Sequence, residues 1–297
     1  MQTSSSVDLQ ARPRTMRTVT WKPSTSRGFR AWAGALALAL GGAGACAQTS
    51  PAPAPSASAC HVPTFEAAAR INAASLTALA WAPFRRAETG WEVYAPLVAR
   101  DLRTRCGPTT SRFAQLLAGY QRQARMRGTG EMDVDTFNHF KGVWQERRPF
   151  VMVNVKGICP DPPDPATLAI ADPAESYGGK TIPIRPGALD AYRRMAAAAK
   201  RESPAIGADP RNLTIFSGFR APDADDVRCL TDGNCDGVAR ATCSAHRTGL
   251  AFDLYVGEAP GFKPDSSADP NRLFMTKTPT YAWLLANAGR YGFVNYP

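Results

Sequence analysis

The sequence predicts an α+β protein behind an export signal, and three observations carry that prediction. Ala- and Leu-rich stretches of helical character fill much of residues 65–164. Short apolar runs of strand character, bounded by Gly and Pro, recur after residue 165. At the N-terminus a cationic segment, a short apolar run and a small-residue stretch follow one another.

The N-terminal segment is taken first because it accounts for the charge. The chain of 297 residues has a formal net charge of +10, from 35 basic and 25 acidic residues. Residues 1–46 hold Arg12, Arg14, Arg17, Lys22, Arg27 and Arg30 against Asp8 alone, so the remainder carries 29 basic and 24 acidic residues, or +5. The apolar run Ala31–Leu40 is shorter than the roughly 20 residues a spanning helix needs. It reads as the h-region of an export signal over 1–47, with Met16 an alternative start. Two cleavage points stay open. One follows Ala47, after Ala45-Cys46-Ala47; the other precedes Cys46, as in a lipoprotein box, and would put a lipid on that cysteine. The expected location is therefore periplasmic or extracellular, with membrane attachment only through Cys46. No basic run is interleaved with aromatic residues, so a nucleic-acid partner is not expected.

Export makes the other six cysteines legible, because disulfides persist in oxidising compartments. Cys60, Cys106, Cys159, Cys229, Cys235 and Cys243 allow 15 pairings. The most local choice joins Cys229 to Cys235 and Cys60 to Cys106, which leaves Cys159 for Cys243. A cysteine zinc cluster lacks any C-x-x-C pair.

Residues 48–64 open with QTSPAPAPSASA, a Pro/Ala/Ser tether that its prolines stiffen. From Phe65 to Leu117 the pattern is helical, with Pro108 expected in a first turn. After the Gly128-Thr129-Gly130 loop a helix is expected over Met132–Phe140, capped by Asp133 or Asp135. His139 reads as a packed or surface helix residue, and His61 as solvated. Phe150–Val155 reads as a strand, and the proline-rich run Cys159–Pro165 as a domain boundary. The expected division is thus 65–164 and 165–297.

Beyond that boundary a strand is expected over Lys180–Ile184, a helix over Ala188–Glu202 and a strand over Leu213–Phe216 that stops at Ser217-Gly218-Phe219-Arg220. Asp223, Asp225 and Asp226 read as loop solvation. In Leu250–Val256, Leu250, Phe252, Leu254 and Val256 alternate with Ala251, Asp253 and Tyr255, which predicts a strand with the first set toward the core. Asp253 is then on the opposite face. A carboxylate on so apolar a strand needs compensation, and a cation shared with His246 would supply it. A loop is expected over Gly257–Pro270, a helix over Thr280–Ala288, and a further strand from Tyr291.

Three motifs here resemble the zinc D-alanyl-D-alanine carboxypeptidases, a family that includes the vancomycin-resistance D,D-peptidases and shares its fold with lysostaphin-type endopeptidases and the Hedgehog signalling domain. They are Ser244-x-His246-x-x-Gly249-x-Ala251-x-Asp253, the Ser217-Gly218-Phe219-Arg220 turn, and the helix followed by Tyr291-Gly292-Phe293-x-x-Tyr296-Pro297. The resemblance covers roughly 165–297. It implies a small antiparallel sheet with flanking helices, Zn2+ held by His246 and Asp253, and substrate binding by Arg220, with Ser217 and Ser244 beside it. The implied substrates are peptidoglycan stem peptides, cleaved at D-Ala-D-Ala or a related D-amino-acid bond. Over Gln121…Gly130-x-Met132-Asp133-x-x-Thr136-Phe137 the helical region also resembles part of small peptidoglycan-binding modules. A plain helical preface is the open alternative there.

In the carboxypeptidase family a Glu-x-x-His or Glu-x-Trp-His element follows the Tyr-Pro. Its Glu is the general base and its His the third zinc ligand. The sequence has three histidines, His61, His139 and His246, and no acidic residue after Asp269. Three expectations follow: a fragment of a longer product, a protein that binds wall peptides without catalysis, or a partner chain that supplies the missing ligand.

Overall fold

The computed structural model describes residue 56 and residues 58–83, 87–232 and 243–295. The export signal, most of the tether, Cys235 and the side chain of Cys229 lie outside what is described, so the proposed Cys229–Cys235 pair does too. The architecture is α+β, with ten α-helices and three antiparallel two-stranded sheets among the described residues.

The first half is helical. Helix α1 (Glu66–Ala78) leads into a hairpin of β1 (Ala80–Trp81) and β2 (Glu88–Thr89), which the sequence did not announce. Helices α2 (Ala95–Asp101), α3 (Ser111–Gln123), α4 (Val134–Glu146) and α5 (Pro149–Asn154) follow. Thr110 caps α3 and Asp133 caps α4, each side chain accepting a backbone N–H three residues on. Pro108 therefore sits in the turn ahead of the cap, not in the first helical turn. Trp91, Phe113, Phe137 and Phe140 are fully buried at the centre, and each such side chain stabilises the fold by about 1.5–3 kcal/mol. Residues 150–155 are not a strand. Pro149 presets the first turn of α5, no strand among the described residues pairs with it, and Val155 is 75% exposed.

The run resembling wall-binding modules works as a buried polar joint. Gln121 accepts from Gly130 N (2.8 Å) and donates to Glu131 O and the Thr136 hydroxyl (both 2.9 Å), while Asn72 bonds Gly130 O and Met132 N. These bonds satisfy the loop that turns α3 back toward α4. A disulfide joins Cys60 to Cys106 across the same half.

In the second half, β3 (Ala169–Ile170) pairs with β4 (Pro183–Ile184), and α6 (Pro186–Glu202) packs Leu189, Tyr192 and Met195 into a second core. Helix α7 (Pro204–Gly207) precedes β5 (Ile215–Ser217). Strand β5 starts later than expected because Leu213, fully buried, is held at φ 69°, outside strand geometry. Helix α8 (Pro222–Asp232) replaces the expected loop, so Asp223 lies in a first helical turn. Strand β6 is only Asp253–Leu254. The predicted alternation fails at its ends: Leu250 is 56% exposed and Tyr255 is 2% exposed, stacked on Tyr177. Gly249 and Gly257 adopt positive φ on either side and keep the extended segment short.

Helix α9 (Asp269–Thr276) occupies the end of the expected loop, and buried Asn271 ties it to Ala259, Lys263 and Ser266. Helix α10 (Pro279–Asn287) ends in a 3-10 turn closed by Gly292 at φ 85°. Residues 291–295 are thus a helix exit rather than a strand. The halves are bound together: Arg272 of α9 pairs with Glu88 (3.2 Å) and donates to the Tyr94 hydroxyl (2.8 Å), and Leu285 packs on the first core.

Candidate functional site

Strands β5 and β6 bring the two strongest motifs together. Ile215 pairs with Leu254 and Ser217 with Asp253, so Phe216 is the extra residue of a bulge that turns Ser217 toward the carboxylate. His246 comes from a 3-10 turn, Ala245–Thr248, whose N-cap is Ser244. The Ser244 hydroxyl accepts from His246 N at 3.3 Å, which gives that serine a part in holding the turn. Cys243, just upstream, is disulfide-bonded to Cys159 across 84 residues, and Arg247 reaches the Cys159 sulfur at 2.7 Å.

The His246 ring is oriented by the other motif. Its Nδ1 lies 2.7 Å from the Gly218 carbonyl, and a carbonyl only accepts, so Nδ1 carries the proton. Nε2 then points at Asp253 Oδ2, 3.4 Å away. That separation is longer than the roughly 2.7–2.9 Å of a charge-assisted hydrogen bond. It matches the edge of a tetrahedron: bonds of about 2.0–2.2 Å place two ligand atoms about 3.3–3.5 Å apart. A backbone carbonyl on the remote ring nitrogen is also the usual support for a metal-bound histidine. The donor pair therefore fits zinc in atom type, tautomer and spacing. His246 is largely covered and Asp253 about half exposed, so the pair opens to solvent on the carboxylate side.

Arg220 stands at the same strand end. Its backbone N–H donates to His246 O (3.3 Å) and its guanidinium to the Ser217 hydroxyl (3.0 Å). The structure thus gathers Ser217, Arg220, Ser244, His246 and Asp253 into one neighbourhood. His61 pairs with Glu66 at the surface, and exposed His139 lies edge-on to Tyr120, so both are engaged in the helical half. Among the described residues no group of three His, Cys, Asp or Glu stands together.

Arg185 carried no signal in the sequence, and Gly218, named there within the Ser217-Gly218-Phe219-Arg220 turn, carried none for its carbonyl. Gly218 matters for its carbonyl and its lack of a side chain: a Cβ there would lie 2.5 Å from Ile182 and 2.8 Å from Pro183 O. Arg185 donates from its backbone N–H to Gly249 O (2.9 Å) and from Nε to Thr248 O (2.7 Å), 63 residues along the chain. Away from this site, an apolar cavity of about 220 Å³ lies between α2, α4 and α10; its arginines, Arg100 and Arg147, are both paired with Asp101.

Comparison with protein-family models, with curated proteins and with solved structures finds no match to this chain. The two disulfides among the described residues are compatible with a secreted protein, and no described helix is long and apolar enough to cross a membrane.

Proposed function

We propose that this chain is an exported zinc-dependent peptidase of the D-Ala-D-Ala carboxypeptidase type, acting on D-amino-acid bonds of peptidoglycan stem peptides. The observation that carries the reading is the His246–Asp253 pair: an imidazole nitrogen and a carboxylate oxygen facing each other at zinc-ligand spacing, with the remote ring nitrogen held by the Gly218 carbonyl. When bound, zinc polarises a scissile carbonyl and makes a water acidic enough to react near neutrality. His246 supplies a neutral nitrogen and Asp253 an anionic oxygen. Arg220, braced by Ser217, offers a planar pair of donors to a substrate carboxylate or to charge developing on the carbonyl oxygen. Ser244 keeps the His246 turn closed.

A second reading is a protein that binds wall peptides without hydrolysing them, and it is motivated by the site itself, where the described residues bring two metal donors together and a catalytic zinc takes three. Zinc content of the purified chain and release of D-Ala from a muropeptide separate the two. The peptidase reading expects zinc uptake that His246→Ala abolishes and, in a chain that carries a third ligand and a general base, D-Ala release that Arg220→Ala abolishes. Muropeptide binding with neither zinc nor release overturns it in favour of the binding protein.

A further inference from the structure

We infer that Arg185 is a positioning residue for the His246 turn. A four-residue 3-10 turn makes few bonds of its own and is held poorly in isolation. Its last carbonyls are the ones a short helix leaves unpaired. Arg185 takes two in succession, Thr248 O through Nε and Gly249 O through its backbone N–H. Gly249, at φ 67°, presents a bare Cα, and a Cβ there would come within 3.2 Å of Arg185 Cγ, so the arginine stem already fills that face.

The other end of Arg185 is firm, because it is the N-cap residue of α6, whose buried face forms the second core. The turn is therefore clamped at its start by the Cys159–Cys243 disulfide and at its end by Arg185. His246 sits between the clamps, where a shift of a fraction of an ångström lengthens the 2.7 Å contact to Gly218 O and frees the ring to change tautomer. The Nε donor is specific to arginine, since a lysine ammonium lacks the planar N–H that lies along the stem.

The inference deepens the proposed zinc site but rests on it only for metal affinity. Wild type, Arg185→Met and Arg185→Lys are compared as full chains. The first readout is the long-range 15N spectrum of the imidazoles without metal at pH 8.5, where His246→Gln assigns the signal among three histidines. The expected result is an Nδ1–H tautomer in wild type and a mixture in both variants, with thermal midpoints within a few degrees. The second is zinc affinity by chelator competition, expected to fall about 10–100-fold, the usual effect of removing a group that supports a ligand. Retention of the wild-type tautomer in either folded variant overturns the role of Arg185. A shifted tautomer in a protein whose wild type takes up no zinc sustains that role and sinks the peptidase reading instead.

Discussion

Replacing Gly218 by Ala is expected to damage fold and site together. The added Cβ would stand 2.5 Å from Ile182 Cγ2, 2.8 Å from Pro183 O and 3.1 Å from Ile184 Cγ1. Ile182 is buried and Ile184 fully so, and Pro183 O already accepts the Phe219 N–H at 2.8 Å, so none of these atoms can yield freely. Overpacking of this kind costs about 1–3 kcal/mol, and contact with backbone places the change at the upper end, about 2–3 kcal/mol. For a unit of this size that lowers the thermal midpoint by about 4–12 °C. Relieving the clash moves the exit of β5 away from β4 and takes the Gly218 carbonyl off His246 Nδ1. Urea titration measures the first effect and the imidazole 15N spectrum the second. Gly142→Ala in the interior of α4 is the counterpart: nothing lies within 4 Å of its Cβ position, and it should stabilise by about 0.5–1 kcal/mol. A Gly218→Ala protein as stable as wild type, with the His246 tautomer intact, would refute the close-approach reasoning.

Gln121→Leu should destabilise by about 3–5 kcal/mol in urea, because Gly130 N, Glu131 O and the Thr136 hydroxyl each lose a buried partner; a change under 1 kcal/mol would deny that the motif is a structural joint. Stability should fall above pH 10: burial raises the hydroxyls of Tyr94 and Tyr192, pushes Tyr120 up to about 12, and raises Tyr281. A folded-state value above the unfolded one gives a contribution fully present below pH 10 and lost as pH rises toward the folded value, by up to about 1.4 kcal/mol per pH unit for a well-buried group such as Tyr192. Denaturation followed alongside tyrosine absorbance at high pH checks this, and stability flat to pH 12 would count against it. Removing the Cys159–Cys243 disulfide, which closes 84 residues, should cost up to about 4.6 kcal/mol, and removing Cys60–Cys106, which closes 46, up to about 4.0. The paired Cys→Ser proteins in calorimetry should show both losses.

The sequence by itself determined the local features. Helices α1, α3, α4, α6 and α10 were legible because caps and apolar spacing act within a few residues of chain. The Cys60–Cys106 and Cys159–Cys243 pairs followed from taking the nearest cysteines first. His246, Asp253, Arg220, Ser217 and Ser244 were named from motif spacing, and the structure sets them beside one another. What tertiary structure alone decided is how they meet. Phe150–Val155 has strand-like residues, yet with Pro149 before it and no strand among the described residues to pair with it becomes α5. Phe252 and Leu254 pack on the second core as the alternation predicts, while Tyr255 is also buried because it stacks on Tyr177, and Leu250, beside the left-handed Gly249, is left exposed. The bulge at Phe216, the Gly218 carbonyl on His246 and the Arg185 clamp join residues 28 to 64 positions apart. No periodicity encodes such contacts, because they depend on which backbone atoms two separately folded turns present to each other.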